Sequence, residues 1–235
     1  MKAIGTETVA PANHSLAPEA PRSPEARPKP DPRPIVFVVE DDISVRESLE
    51  LLIQSGGWRP ELFVLAQEFL SRPRPAGPCC LILDVNLPEL NGLELQKKLA
   101  DRNEMPIVFI SGCADIPMSV QAMKAGAVEF LTKPLQHDVL VNAIRDALER
   151  SRKVLLLDSE VQVLRSCYDS LTQREREVMA LVVSGLLNKQ VGAELDISEI
   201  TVKAHRGQVM RKMKAGSLPD LVTMAARLGL RPPKH

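Results

Sequence analysis

Short apolar runs alternate with helically spaced apolar residues over residues 35–150. The runs, such as "IVFVV" and "CCLIL", are apolar at every position, as expected of strands that are buried on both faces of a sheet. The predicted strands are Ile35–Val39, Arg59–Phe63, Cys79–Leu83, Ile107–Ile110 and Glu129–Leu131. The predicted helices between and after them are Ser44–Ser55, Ala66–Leu70, Leu93–Ala100, Met118–Ala125 and a segment that begins near His137. Five strand–helix repeats predict an α/β domain, a doubly wound five-stranded parallel sheet with helices on both faces.

The last of these helices is predicted to continue beyond the sheet. Residues 137–167 contain neither Pro nor Gly, so a helical linker over residues 151–170 is expected. A strict heptad fails because Asp158 falls where an apolar residue is needed. Whether the linker forms a coiled coil therefore stays open.

From Leu171 the pattern is helical throughout, which predicts a second, all-α domain over residues 171–235. Thr172 and Glu175 have the spacing of a capping box, with Leu171 as its hydrophobic staple. The four predicted helices run to about Ser184, over Lys189–Leu195, from the cap Ser198 to about Lys214 before Gly216, and over Leu218–Leu228. A tight turn through Asp196 and Ile197 joins the second helix to the third, an arrangement typical of a helix-turn-helix.

The third of these helices carries five of the 11 Lys and Arg residues of its domain. On a period of 3.6 residues, Ile200, Val209, Met210 and Met213 are predicted to face the core. The basic side chains then lie outward, and the capped N-terminal end is suited to enter a major groove.

Composition and charge add to this division. Residues 1–34 contain eight prolines without apolar periodicity, which predicts a disordered tail. Residues 35–150 carry 11 basic and 17 acidic side chains, whereas residues 151–235 carry 14 basic and 9 acidic ones. The basic end is therefore a candidate for binding a polyanion. No apolar run is long enough to span a membrane and no secretory signal is recognised, so we expect a cytoplasmic protein with four reduced, mostly buried cysteines.

Candidate chemistry lies where the predicted strands end. Glu40 and Asp41 directly follow the first strand, and Asp84 is the last residue of the third. Ser111 and Lys133 end the fourth and fifth. If the strand order is 2-1-3-4-5, as in one common class of doubly wound sheets, these residues meet at the carboxyl edge. A carboxylate nucleophile with a Mg²⁺ ion, a hydroxyl and an ammonium group is the equipment of phosphoryl transfer.

The segments "VVEDD", "LILDVNLPELNG", "FISG" and "EFLTKPL" resemble the receiver domain of bacterial response regulators over residues 35–150. The resemblance implies that Asp84 is the phosphorylation site. It also implies a Mg²⁺ site formed by Asp41, Glu40, Asp84 and the backbone carbonyl of Asn86. Glu40 departs from the family, which often has Asp there, and its longer side chain puts metal affinity in question.

The same resemblance implies how the phosphoryl group is held and sensed. Ser111 and Lys133 contact the phosphoryl group, and Phe130 is an aromatic switch that moves inward with Ser111. An aromatic residue in a short strand is more often simply part of a core. The Lys133–Pro134 bond is expected to be cis, as in the family.

Residues 171–230 resemble the LuxR/FixJ-type helix-turn-helix, through the run "LTQREREVMALVVSGLLNKQVGAELDISEITVKAHRGQVMRKM". By this resemblance Lys203 and Ala204 lie where such proteins touch bases, and Gly207 faces the groove without a side chain. The implied phosphate contacts are Thr201, His205, Arg206, Arg211 and Lys212.

Together the two domains resemble NarL/FixJ-type regulators, not enzymes. The implied function is a transcriptional regulator that a sensor histidine kinase phosphorylates on Asp84, which promotes homodimerisation and promoter binding. A haloacid-dehalogenase-type phosphatase is a weak rival, because it needs an Asp where this chain has Asn86. The other alternative is a receiver-like interaction module that is never phosphorylated and binds DNA constitutively.

Overall fold

The computed structural model of the protein describes residues 31–88, 90–113 and 115–230. The predicted disordered tail lies outside the described residues, except for its last four positions. The remainder comprises the α/β and the all-α regions expected from the sequence.

The sheet contains five parallel strands, with β2 at one edge and β5 at the other, in the order β2-β1-β3-β4-β5. The strands are β1 (Ile35–Val39), β2 (Arg59–Phe63), β3 (Cys79–Asp84), β4 (Ile107–Ser111) and β5 (Glu129–Thr132). This confirms the predicted doubly wound fold and its strand order. The order places the ends of β1 and β3 side by side, which is what positions the site.

Helices cover both faces of the sheet. They are α1 (Ile43–Ser55), α2 (Ala66–Leu70), α3 (Gly92–Lys98), α4 (Ile116–Lys124) and α5 (His137–Asp169). Alternate residues of each central strand enter different cores: Phe37 and Leu81 pack into one with α2 and α3, whereas Val38 and Ile82 pack into the other with α1 and α5. The strands are therefore apolar at every position because each face has its own core.

Helix α5 is 33 residues long and confirms the predicted helical continuation. Its first half packs on the sheet through residues such as Leu140 and Ile144, and Ser151 is the last buried residue. There the Ser151 hydroxyl donates to the carbonyl oxygen of Glu104 at 2.5 Å and accepts from the backbone N–H of Cys79 at 3.0 Å. Beyond this point the helix leaves the sheet.

Four further helices enclose a third core. They are α6 (Gln173–Val183), α7 (Asn188–Leu195), α8 (Glu199–Met213) and α9 (Leu218–Arg227). The capping box of Thr172 and Glu175 is present, and Leu171 is buried in this core. The turn between α7 and α8 depends on Gly192, where a Cβ atom would lie 2.7 Å from the carbonyl oxygen of Ile197.

Two predictions about α8 were wrong. Ile200 does not face the core but is 79% exposed, because the buried stripe is formed by Val202, Val209 and Met213. The helix ends at Met213, close to the predicted Lys214, but Gly216 is not the residue that ends it. Lys214, with φ 57°, is its left-handed C-cap, in place of a termination at Gly216.

The cysteines are all free thiols, as expected, but only Cys79 and Cys80 are buried. Burial raises the pKa of the Cys79 thiol to about 12, which keeps it protonated. Cys113 is exposed, contrary to the expectation of mostly buried cysteines, because it lies in the loop after β4. Among the described helices, none has the length and apolarity needed to cross a membrane.

Candidate functional site

The acidic residues converge at the carboxyl edge of the sheet. Val39 is paired with Leu83 in the register of β1 and β3, so Glu40 and Asp84 come next to each other. Glu40 is 0% exposed and Asp84 is 4% exposed, whereas Asp41 is open to solvent. Carboxylate oxygens of all three lie within 4.8 Å of one another.

Lys133 lies between two of these carboxylates. Its Nζ atom donates to Asp84 Oδ2 at 2.6 Å and to Glu40 Oε2 at 2.7 Å. It is held there because its backbone N–H donates to the carbonyl oxygen of Ser111 at 2.8 Å, directly after the last paired residues of β4 and β5. The following peptide bond, Lys133–Pro134, is cis, as predicted.

The electrostatics of this cluster reflect its burial. Burial and the neighbouring Asp84 carboxylate raise the pKa of Glu40, against the opposing effect of the Lys133 ammonium. For Lys133, burial lowers the pKa, but the hydrogen bonds to Asp84 and Glu40 outweigh it and the pKa is raised. The ammonium therefore stays charged and compensates the clustered carboxylates.

The backbone also organises Asp84. Its Oδ1 atom accepts a hydrogen bond from the backbone N–H of Asn86 at 2.9 Å. After β1, Arg46 of α1 holds the neighbouring loop: its Nη1 atom donates to the carbonyl oxygens of Glu40 at 2.8 Å and Asp41 at 2.9 Å. The sequence analysis did not single out Arg46. Its place near the start of the first predicted helix, five residues after Asp41, was the available signal.

Among the described residues, the Ser111 hydroxyl makes no hydrogen bond to the carboxylates of the cluster. The buried Ser111 hydroxyl donates to the carbonyl oxygen of Cys113 at 2.9 Å, so it is engaged with its own loop. The half-buried Phe130 ring stacks on Phe109, with 6.0 Å between centroids and 30° between planes.

The donor set suits a hard divalent cation. Glu40, Asp41 and Asp84 offer only oxygen atoms, and the exposure of Asp41 leaves a path from solvent. Mg²⁺ prefers oxygen ligands and usually retains several waters, so three carboxylates and the Asn86 carbonyl are sufficient in chemistry and number.

The predicted DNA-binding residues occupy the outer side of α8. Lys203, Ala204, Gly207 and Arg211 are exposed, and Ile200 belongs to the same stripe by its spacing. Thr201, His205, Arg206 and Lys212 are half-buried at its margins. Ser198 caps the helix by accepting the backbone N–H of Thr201 at 3.1 Å.

The basic side chains of α8 differ in how strongly they are engaged. Lys203 pairs with Glu199 one turn earlier at 3.0 Å, an exposed contact of little strength. Lys212 instead donates to the buried carboxylate of Glu175 at 2.6 Å and to the carbonyl oxygen of Ser170 at 3.1 Å. Lys212 therefore has a structural role that the sequence analysis did not recognise.

Comparison with protein families divides the chain in the same way. Residues 36–145 match the response regulator receiver domain, and residues 169–225 match the bacterial regulatory proteins of the luxR family. The solved structure of the response regulator StyR has a TM-score of 0.72 and 44% identity, covering 83% of this chain and 99% of that one.

Curated relatives share both domains. Nodulation protein W of Bradyrhizobium diazoefficiens is 51% identical over 197 residues, 83% of this chain and 87% of that protein. The response regulator protein TmoT of Ectopseudomonas mendocina is 45% identical over 199 residues, 84% of this chain and 90% of that protein. The transcriptional regulatory protein FixJ of Bradyrhizobium diazoefficiens is 38% identical over 196 residues, 83% of this chain and 96% of that protein. The chain therefore belongs to the two-component response regulators that combine a receiver domain with a LuxR-type DNA-binding domain.

Proposed function

We propose that this protein is a phosphorylation-dependent transcription regulator in which Asp84 accepts a phosphoryl group and thereby raises affinity for promoter DNA. The observation that carries the proposal is the convergence of Asp84 with Glu40, Asp41 and Lys133 at one sheet edge. The regions involved are a receiver domain (35–150), a helical linker (151–170) and a DNA-binding domain (171–235).

The phosphoryl donor is a phosphohistidine of a sensor histidine kinase. A carboxylate oxygen of Asp84 forms a bond to phosphorus as the phosphorus–nitrogen bond breaks, and the leaving imidazole takes up a proton. Lys133 already lies 2.6 Å from Asp84 Oδ2, so its ammonium can follow the added negative charge. The hydrogen bond from Asn86 to Oδ1 holds the carboxylate in a fixed orientation.

Glu40, Asp41, Asp84 and the Asn86 carbonyl would hold the Mg²⁺ ion. When bound, the ion neutralises negative charge that gathers on the phosphoryl oxygens during transfer. Asn86 also argues against a general phosphatase, because an amide cannot act as the acid that protonates a leaving group.

Ser111 and Phe130 supply the response. Phosphorylation adds charge and strong acceptor oxygens beside Ser111, which favours a hydroxyl turned toward Asp84 over its present bond to the Cys113 carbonyl. The Phe130 ring then follows into the space that the Ser111 loop leaves. The surface of α4 and β5 changes with it, and we assign homodimerisation to this surface.

The exposed face of α8 reads DNA. Lys203 and Ala204 meet base edges, and Arg211 with the marginal residues Thr201, His205 and Arg206 meets phosphates. With few base-reading side chains per monomer, binding to two half-sites as a dimer supplies the rest of the affinity. Dimerisation and promoter binding are thus linked.

The decisive experiment measures DNA affinity of the full chain with and without activation. DNA fragments are first selected from a random pool with the protein, and binding is then titrated with Mg²⁺ alone and with beryllofluoride added. We expect tighter binding by the activated wild type, no change for Asp84→Asn, and wild-type behaviour for Asp138→Asn, whose side chain is 97% exposed. Equal affinity in every sample would contradict the switch and favour constitutive DNA binding.

A further inference from the structure

Helix α5 carries a second apolar stripe beyond the sheet. The stripe that faces the receiver core includes Leu148 and Ser151. Continued at the same spacing, it passes Leu155 and reaches Asp158, where a polar residue interrupts the heptad. A stripe shifted by one position has the required 3-4 spacing without interruption. Its members are Val154, Leu157, Val161, Leu164 and Tyr168.

Most of this stripe has no place in the three cores. Tyr168 packs against the DNA-binding core, and its ring lies 5.1 Å below the Arg176 guanidinium. Among the described residues, neither the buried members of the cores nor the residues packed against them include Val154, Leu157, Val161 or Leu164. Leu157 is 58% exposed, whereas Val154, Val161 and Leu164 are half-buried. An apolar seam with this period is a surface suited to another helix.

The residue types favour a helix of the same kind. When Val154 is taken as an a position, Val161 is also a, and Leu157 and Leu164 are d. In parallel coiled coils, β-branched residues at a combined with Leu at d favour two helices over higher assemblies. The residue types of the seam thus favour a pair of helices.

The flanking charges fit a parallel copy. Lys153 and Glu160 occupy g positions, and Asp158 and Arg165 occupy the e positions five residues later. In a parallel pair, g of one helix meets the following e of the other. Lys153 then faces the Asp158 of a second copy, and Glu160 faces its Arg165, so both kinds of contact join opposite charges.

We propose that the linker helices of two copies pair in parallel through Val154, Leu157, Val161 and Leu164 when the receiver domains dimerise. This inference rests on the proposed function, since it concerns the dimer that phosphorylation forms. From Val154 to Leu164 the seam spans only about 15 Å, too short to hold two chains together alone. Receiver pairing raises the local concentration of the two linkers and makes the short seam effective.

Linker pairing also reaches the DNA-binding domain. In the present structure Arg227 of α9 donates to Glu160 Oε2 at 2.5 Å. Pairing of Glu160 with Arg165 of a second copy competes with this contact. Dimer formation therefore uses Glu160, the residue that connects the linker to α9. The paired linker helices also place the two DNA-binding domains side by side on a common axis.

Cysteine cross-linking tests the seam directly in the full chain. In a background with Cys113→Ser and Cys167→Ala, Leu157→Cys places a thiol at d, and Leu156→Cys places one at a neighbouring position off the seam, where the native side chain is 64% exposed. After activation with Mg²⁺ and beryllofluoride, mild oxidation is expected to cross-link Leu157→Cys about fivefold faster or more than Leu156→Cys. Equal rates in a sample that is dimeric by sedimentation would overturn the proposal.

A charge exchange provides a second measurement. Lys153 makes only a 3.7 Å contact with Glu149, so its substitution disturbs little in the monomer. Lys153→Glu and Asp158→Lys should each weaken the activated dimer in sedimentation equilibrium, and the double variant should restore it. A double variant as weak as the two single ones would overturn the parallel register.

If activated wild type stays monomeric, the proposed phosphorylation-driven dimer fails and the linker pairing fails with it. A wild-type dimer that is indifferent to both sets of variants refutes the linker pairing alone.

Discussion

At the scale of single residues, Gly92 sets how closely α3 approaches the proposed phosphorylation site. A Cβ atom there would lie 2.5 Å from the carbonyl oxygen of Asp84 and 3.0 Å from the Cα of Val85. Both are backbone atoms that cannot turn aside. The Gly92 N–H also donates to the Val85 carbonyl oxygen at 3.0 Å, which ties the start of α3 to the end of β3. The position of Asp84 therefore depends on a residue with no side chain.

Gly92→Ala is expected to destabilise the receiver domain by about 1–3 kcal/mol, the usual cost of forcing an extra carbon into a filled space. Urea unfolding measures the loss, and Gly77→Ala is the matched control, because a Cβ at Gly77 meets nothing within 4 Å. Equal stability of the two variants would show that α3 moves away from β3 without cost. Slower labelling by a small phosphodonor should accompany the loss.

At the scale of elements, α6 and α8 are joined by a buried ion pair. Glu175 Oε2 accepts from Lys212 Nζ at 2.6 Å and from the backbone N–H of Thr172 at 2.8 Å. The Lys212 ammonium, with the Thr172 N–H, lowers the pKa of Glu175 below its ordinary value of 4.5. One carboxylate therefore caps α6 and fixes α8 against it.

Because the folded pKa of Glu175 is lowered, its contribution to stability is complete above pH 4.5 and is lost as the pH falls through the folded value. Glu175→Gln should therefore reduce the melting temperature of the DNA-binding domain at pH 7, with a difference from wild type that shrinks toward pH 3. Thermal unfolding over this range measures it, with the exposed Glu194→Gln as control. A constant difference at all pH values would contradict the linkage.

The basic residues of α8 have two different roles. Arg211→Ala should flatten the plot of log affinity against log salt by about 0.9 for each phosphate that the variant no longer neutralises, with folding unchanged. Lys212→Ala should instead lower the stability of the domain by about 1–3 kcal/mol, because the buried Glu175 carboxylate loses its partner. Lys98→Ala, exposed on α3, is the control for both measurements. A salt effect confined to Lys212→Ala would reverse this assignment.

The sequence predicted elements better than it predicted contacts. The bounds of β1 were predicted correctly because its five residues form a short, continuous apolar run between Pro34 and Glu40. The exposure of Ile200 was not predictable, because the face that α8 buries is decided by its contacts with α6 and α7. Likewise the Lys212–Glu175 pair joins residues far apart in the chain. The convergence of Asp41, Asp84 and Lys133 was predicted, but only by assuming a strand order.

At the scale of the whole molecule, the chain is built from cores that share no residues. Two lie on the faces of the sheet and hold the proposed phosphorylation site between them, and the third lies within α6–α9. Among the described helices, only α5 contributes to both parts, through residues such as Ile144 at one end and Tyr168 at the other. A ligand of the receiver domain should therefore change the stability of the two parts unequally.

Calorimetry of the full chain tests this independence. Mg²⁺ with beryllofluoride at 100 times its dissociation constant should stabilise the receiver domain by about 2.7 kcal/mol, since only the folded site binds it. Asp41→Asn replaces one carboxylate donor of the site by an uncharged amide and should abolish most of the shift, whereas the exposed Asp138→Asn should retain it. The transition of the DNA-binding domain should move much less, because α5 is its main link to the receiver. If both transitions rise together, the linker transmits folding energy as well as position, and the two domains respond to phosphorylation as one cooperative unit.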